Sequence, residues 1–360
     1  MKGLAVTVPA SDLPELLVTG ASGFFGGLLK RRLLDEGFLV TNIDLVADED
    51  AHPALTSIQG DIRDEALLAR TFAAHNFQAV FHCAAMLAHD VQDNNLLWTS
   101  NVDGTRLVAE AALAANVHKF VFLSSNCLWG ENLGHEVAED QTPAPVELYG
   151  RSKLAGEEEL NKLSAAHPEL HAITLRCPTI MDSGRLGLLA ILFEFIDDNK
   201  KVWVVGPGDN RYQFIYAQDL ATACLQCLNY DHANLFHIGS DHVPTMRGMY
   251  ESVIRTAASK SRVTSLPKAP TIALMQLAHK LNISPLGPYH YRMIAESFIF
   301  DTTRIRRELG WQPTLTNEQM MLHAFSYYRE NRRAIHARKD VSAHSKAAPM
   351  GIIRLLKWLS

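Results

Sequence analysis

Leu16-Leu17-Val18 runs directly into Thr19-Gly20-Ala21-Ser22-Gly23-Phe24-Phe25-Gly26, and a helical pattern follows from about Phe25 to Asp35. Gly20 permits a tight turn, Gly23 lets backbone approach a pyrophosphate, and Gly26 lets the helix pack close to the strand. Ser22, Phe24 and Phe25 complete the loop. The N–H groups that open the helix then face an anion with a partial positive charge. Glycine triplets occur in many structural turns. The strand before this one and the helix behind it are the context a dinucleotide fingerprint requires.

The next runs fit the same frame. Phe38 to Ile43 reads as a second strand ending at Asp44, where a carboxylate grips adenosine ribose hydroxyls and repels the extra phosphate of NADP. NAD is the expected cofactor. Gly60-Asp61-Ile62 closes a third strand, Leu55 to Gln59, and His82-Cys83-Ala84-Ala85 closes a fourth, Ala79 to His82. Ala84 and Ala85 are small enough for backbone to lie beside a ribose. Lys119 to Leu123 and His171 to Leu175 are further short apolar runs, and long helical patterns cover Asn94 to Ala115 and Glu147 to Ala166. This alternation predicts an α/β fold, a Rossmann-type doubly wound parallel sheet with right-handed crossovers.

Beyond Arg176, Pro178, Gly184, Gly187, Pro207 and Gly208 punctuate shorter elements. Residues 14–177, with part of 210–240, are expected to form the NAD-binding domain, and 178–330 mostly a smaller C-terminal substrate-binding lobe. Residues 334–349 are polar and small, as in a flexible tether. Residues 350–360 include Ile352, Ile353, Arg354, Leu355, Leu356, Lys357 and Trp358, a short amphipathic helix whose chemistry suits a membrane interface or a packed partner.

A chain of 360 residues with 47% apolar content can bury a large core, and its net charge of −5 carries no basic footprint for nucleic acid. No run reaches the roughly 18 apolar residues that span a bilayer, and the N-terminus lacks a signal-peptide layout. A cytoplasmic protein is expected, with residues 350–360 as a candidate peripheral contact at the inner face of the membrane. The five cysteines suggest no disulfide framework. Cys224 and Cys227 have no second pair and no His-Glu-x-x-His occurs, so no metal is expected.

Tyr149 and Lys153 stand at i and i+4 on one helix face. A free phenol, with a pKa near ~10, is a poor base at neutral pH. A neighbouring ammonium and a positive nicotinamide ring favour phenolate, which can then exchange a proton with a substrate hydroxyl. Ser124-Ser125-Asn126-Cys127 follows the strand ending at Leu123, which sets a hydroxyl at the carboxyl edge of the sheet.

In order, the glycine turn, Asp44, Asp61-Ile62, His82 to Ala85, Asn101-Val102-Asp103-Gly104-Thr105, the serine turn and Tyr149-x-x-x-Lys153 resemble the extended short-chain dehydrogenase/reductase superfamily, in particular its NAD-dependent epimerase/dehydratase branch. The resemblance covers about residues 14 to 330. It implies Ser125 as catalytic hydroxyl, Tyr149 as base, and Lys153 as the residue that binds ribose and tunes it. Asn101, Ser124 and Pro178 join the implied cofactor contacts, and Met86 and Thr179 the substrate contacts. Asn126 and Cys127 occupy the positions where sugar dehydratases carry an acidic pair, so dehydration is not expected. In Arg211-Tyr212-Gln213-Phe214-Ile215, Tyr212 takes the position of the family's diphosphate-binding arginine, with Arg211 displaced by one; Arg292 falls about one residue from the second such arginine. The family also implies a homodimer through the helices over 94–115 and 147–166.

Three readings follow. One is a sugar epimerase, on a nucleotide-linked or lipid-linked substrate, that removes and returns a hydride. A second is a dehydrogenase or ketoreductase of a hydrophobic, 3-beta-hydroxysteroid-like alcohol, suited by the apolar stretch Leu186 to Ile196. The third is a non-catalytic NAD-binding protein.

Overall fold

The computed structural model describes residues 13–87, 93–130, 133–187, 189–281 and 288–337. The chain begins β1 (Glu15–Thr19), α1 (Phe24–Asp35), β2 (Leu39–Asp44), β3 (Leu55–Gln59), α2 (Glu65–Ala74) and β4 (Phe77–His82). There follow α3 (Asn94–Asn101), α4 (Asp103–Ala114), β5 (Lys119–Ser125), α5 (Leu148–Ala166), β6 (His171–Cys177) and β7 (Thr179–Met181). Next come α6 (Leu189–Asp197), β8 (Val202–Val205), β9 (Phe214–Tyr216), α7 (Ala217–Cys227) and β10 (Asn234–His237). The described part ends with α8 (Met246–Thr256), β11 (Val263–Leu266), α9 (Lys268–Lys280), α10 (Pro288–Ala295), α11 (Thr303–Leu309) and α12 (Asn317–Ala337).

Seven strands form the main sheet in the order β10-β6-β5-β4-β1-β2-β3. β1 pairs in parallel with β2 and β4, β2 with β3, and β4 with β5. Chain order reverses between β1 and β4, and such a switch point opens a crevice at the carboxyl ends of both strands. The expected α/β doubly wound sheet is therefore present.

The contacts divide the chain into two compact units. The first holds the described residues up to Ser124, Ser152–Leu175 and Ala221–Leu235; the second holds Ser125–Arg151, Arg176–Leu220 and the described residues from Phe236. In the first unit Leu17, Val80, Phe120 and Phe122 pack with Val108, Ala109 and Ala112 of α4, all fully buried. Each large side chain removed from water in this way contributes about 1.5–3 kcal/mol. In the second unit β7 pairs with β9 and β8 with β11. Trp311 is fully buried and its Nε1 donates to the Asp219 carbonyl at 2.8 Å.

Three expectations need correction. The helix expected over 94–115 is two, α3 and α4, broken at Val102, whose φ is −106° and ψ −64°. Residues 334–337, expected to open a tether, continue α12, in which Arg332 reaches Asp197 and Asp198 at 2.5 and 2.8 Å; the rest of that segment lies outside the described residues. The apolar stretch 186–196 is core, with Leu186, Ala190, Ile191, Phe193, Phe195 and Ile196 at most 7% exposed. Phe193 packs edge-on against Phe325 and tilted against Tyr328 of α12, so this apolarity is explained by packing. The amphipathic segment expected over 350–360 lies outside the described residues. Among those described, no helix is long and apolar enough to cross a membrane.

Candidate active site

The glycine turn closes onto the end of β4. A Cβ on Gly20, where φ is +75°, would lie 2.7 Å from the Ala84 Cα, and one on Gly26 would lie 2.2 Å from the Gly20 carbonyl oxygen. Both contacts are with backbone, which cannot step aside. Gly23 is the N-cap of α1 in extended conformation, and no side chain caps the helix there. A helix N-terminus next to a close-packed glycine turn is an arrangement that favours an anion. The Phe25 side chain, 6% exposed, is core, whatever its backbone offers.

Asp44 ends β2 as expected. One of its oxygens accepts from the Ser22 N–H at 3.0 Å and the other from the Val46 N–H at 3.0 Å. Asp61 is committed differently. Its carboxylate meets the Arg63 guanidinium at 2.5 Å, a contact that holds it below the usual carboxylate range. Ile62 is buried beneath Gly104, where an added Cβ would come within 2.8 Å of it.

His82, the last residue of β4, is fully buried between two hydroxyls. The Thr105 hydroxyl donates to the Asn101 carbonyl at 2.8 Å, so its oxygen is left to accept from His82 Nε2–H at 3.0 Å. His82 Nδ1 then accepts from Thr19 Oγ1 at 2.8 Å, and that oxygen accepts from the Ala84 N–H at 3.3 Å. A neutral imidazole satisfies this chain; burial first, then the Lys153 charge, pushes the pKa of His82 down to about 3. Asn101 holds the following loop: its Oδ1 accepts from Met86 N–H at 2.7 Å, and its Nδ2 donates to the Met86 carbonyl and to Ser152 Oγ, each at 3.0 Å. Met86 and Asn101 are thus brought together.

Ser125 ends β5 and caps the short turn 126–128, its Oγ accepting from the Cys127 N–H at 3.1 Å. The half-buried Tyr149 phenol hydrogen-bonds the same Ser125 side chain. Burial and the thiols Cys127 and Cys177 raise the phenol's pKa, while Ser125 and the positive Arg185 pull it down. Gly150 makes the approach possible, since a Cβ there would stand 2.2 Å from the Cys127 carbonyl oxygen. One turn further along α5, Lys153 is 2% exposed, with its Nζ 4.0 Å from the centroid of the Phe122 ring.

Asn126 Nδ2 donates to the Tyr212 hydroxyl at 2.5 Å, so two residues singled out separately meet. Arg211 donates instead to the Val243 carbonyl at 3.2 Å. Ser124 and Pro178 are buried, and Thr179 pairs with Phe214. The Arg292 side chain lies outside what is described. Cys224 and Cys227 are fully buried, and burial pushes the Cys227 thiol up to about 12, which keeps it protonated. Two contributors escaped sequence reasoning. Asn42, fully buried in β2, accepts from the Ala21 N–H at 3.0 Å. Its one signal was a polar residue on an inward strand position two before Asp44. Arg185, whose charge acts on the Tyr149 phenol, gave no sequence signal at all.

The model of the NAD-dependent epimerase/dehydratase family matches residues 16–239. Uncharacterized protein y4nG of Sinorhizobium fredii is 34% identical over 342 residues, 95% of this chain and 85% of the relative. The UDP-glucose 4-epimerase of Mycolicibacterium smegmatis is 27% identical over 331 residues, 87% of this chain and 98% of the relative. Among solved structures, UDP-glucose 4-epimerase of Thermotoga maritima with UDP-glucose superposes with a TM-score of 0.73 at 22% identity, covering 88% of this chain and 99% of that one. The matched span takes in the glycine turn, Asp44 and Tyr149, and the chain belongs to the NAD-dependent epimerase/dehydratase family.

Proposed function

We propose that this chain is an epimerase of a nucleotide-linked sugar, with Ser125, Tyr149 and Lys153 as its proton machinery. The observation that supports this most is the Tyr149 phenol, hydrogen-bonded to Ser125 and one helical turn from Lys153. A bound NAD would supply the acceptor, and later the donor, for a hydride exchanged with a sugar carbon. Tyr149 takes the proton of the sugar hydroxyl and later restores it. Ser125 holds the same oxygen, its own Oγ oriented by the Cys127 N–H. Burial alone would keep the phenol protonated, so nearby positive charge has to draw it toward phenolate. Arg185 acts in that sense, and the Lys153 ammonium, one turn along α5, adds to it.

On this reading the turn from Gly20 through Ser22, Gly23, Phe24 and Phe25 to Gly26 holds the pyrophosphate and Asp44 the adenosine ribose. Asp61, Ile62, Ala84, Ala85, Asn101, Ser124 and Pro178 line the rest of the cofactor site. Met86, Asn126, Cys127, Thr179, Arg211 and Tyr212 serve the sugar nucleotide, within a lobe formed mostly by residues 178–330, and Arg292 stays a candidate by the family resemblance alone. Asn126, engaged with Tyr212, supplies no acid for eliminating water. The UDP-glucose 4-epimerases among the relatives favour a nucleotide over a lipid carrier. The steroid-type alternative loses support, because the apolar stretch that suggested it is core. A cytoplasmic homodimer, paired through α3, α4 and α5 and touching the membrane through residues 350–360, completes the proposal.

The test is to purify the protein without added cofactor, denature it and quantify released dinucleotide, then offer it UDP-glucose and UDP-N-acetylglucosamine. Near-stoichiometric NAD and a C4-epimerised product are expected. An empty site, with NADH accumulating on a hydrophobic alcohol, would select the dehydrogenase instead.

A further inference from the structure

Lys30 stands in the middle of α1 and is 1% exposed. A buried ammonium is tolerated only when paired. Its Nζ lies 2.5 Å from Asp48 Oδ1 and 2.8 Å from Asp50 Oδ2. The Asp48 side chain is itself only 2% exposed, and its second oxygen accepts from Asn42 Nδ2 at 2.9 Å. Asn42 also reaches the other way. Its Nδ2 donates to Ser22 Oγ at 3.1 Å, and its Oδ1 accepts from the Ala21 N–H at 3.0 Å. Ser22 Oγ then donates to the Val46 carbonyl at 2.9 Å. A buried ion pair on α1 thus fastens the glycine turn to the loop that follows β2.

Asp44 sits where these two segments meet. Its two backbone tethers come from Ser22 and Val46, one from each fastened segment. Stability alone does not account for the arrangement, since a buried ion pair is often replaced by apolar side chains at no loss. We propose that Lys30, Asp48 and Asn42 are positioning residues that fix the Asp44 carboxylate and thereby set the preference for NAD over NADP. The inference rests on the reading of Asp44 as the ribose-binding residue. Held still, that carboxylate accepts from the ribose hydroxyls and opposes a 2′-phosphate. Released, it bonds the ribose poorly and can turn away from the phosphate.

The experiment is titration calorimetry of NAD⁺ and NADP⁺ on the full chain and its variants. Lys30→Met/Asp48→Asn removes the charge pair as a unit and leaves no orphaned ion. Asn42→Ala cuts the link beyond it while keeping the ion pair. In either variant the ratio of the NADP⁺ to the NAD⁺ Kd should fall by about tenfold or more, the worth of one charge-assisted hydrogen bond. Lys30→Arg, which preserves the pair, should keep the ratio within about threefold of the parent, well under that single bond's effect. General structural damage would weaken both dinucleotides together and leave the ratio unmoved. An unmoved ratio in a folded variant overturns the proposal; should the double variant not fold, the ratio in Asn42→Ala decides between the two outcomes. A parent protein that fails to prefer NAD⁺ would instead refute the reading of Asp44.

Discussion

Gly150→Ala is a substitution for which helix propensity and the structure predict opposite results. Gly150 lies in the first turn of α5, where alanine ordinarily stabilises a helix over glycine by about 1 kcal/mol. Here the new Cβ would stand 2.2 Å from the Cys127 carbonyl oxygen and 3.1 Å from Pro145 Cβ. Relieving the backbone contact requires the start of α5 to withdraw by roughly 1 Å, and overpacking of this kind costs about 1–3 kcal/mol. The net effect is a loss of up to ~2 kcal/mol, a few degrees in Tm for a chain of this size. The withdrawal carries Tyr149 away from Ser125. A misplacement of about 1 Å in a reacting group costs on the order of 100-fold in turnover. Thermal unfolding and steady-state epimerisation, measured on parent and variant, check both halves. A variant more stable than the parent and equally active would refute the reasoning.

Tyr149→Phe keeps the ring and removes the proton path, so kcat should fall by about 10²–10⁴ while calorimetry shows NAD still bound. Gly26→Ala drives a Cβ to 2.2 Å from the Gly20 carbonyl oxygen, which shifts the start of α1 beside the glycine turn. NAD affinity should then drop by about 10²-fold or more, as expected if one or two charge-assisted hydrogen bonds are lost. His82 and His237 each have a pKa pushed down to about 3, chiefly by burial, against about 6.5 when unfolded. Between those values the unfolded chain binds protons that the folded chain refuses. Their stability contribution is therefore full above about pH 6.5 and is lost as pH falls, by about 1.4 kcal/mol per pH unit for each. Glu139 and Asp182, raised by burial, act in the opposite sense and reduce the net slope. Urea midpoints at pH 7 and 5 should show lower stability at pH 5, and His82→Gln should flatten the difference.

The parts of the fold legible in the sequence are those governed by local chemistry. The glycine turn, Asp44 at the end of β2, and the bounds of β3 and α5 follow from residues close in sequence, which choose their own backbone. The break at Val102 does not. It depends on Asn101 reaching the Met86 backbone and Ser152, contacts 15 and 51 residues away that no helical pattern contains. The apolar run of α6 misled for a similar reason, because only the position of α12 shows that Phe193 faces Phe325 and Tyr328. In the proposed site, the i, i+4 spacing singled out Tyr149 and Lys153, and Ser125 came from the family resemblance. The tethers that hold Asp44, and the commitment of Asn126 to Tyr212, were not readable, since each joins strands or loops that meet only in the fold.

The central claim is that one hydride leaves the sugar and returns to it within a single bound cycle. The most direct measurement uses UDP-glucose deuterated at C4, incubated with the full-length protein in ordinary water and resolved by NMR and mass spectrometry. UDP-galactose that retains the deuterium at C4 is the predicted product, with no free NADH accumulating. Product that has lost the label to solvent, or NADH formed in step with a stable keto product, would contradict it.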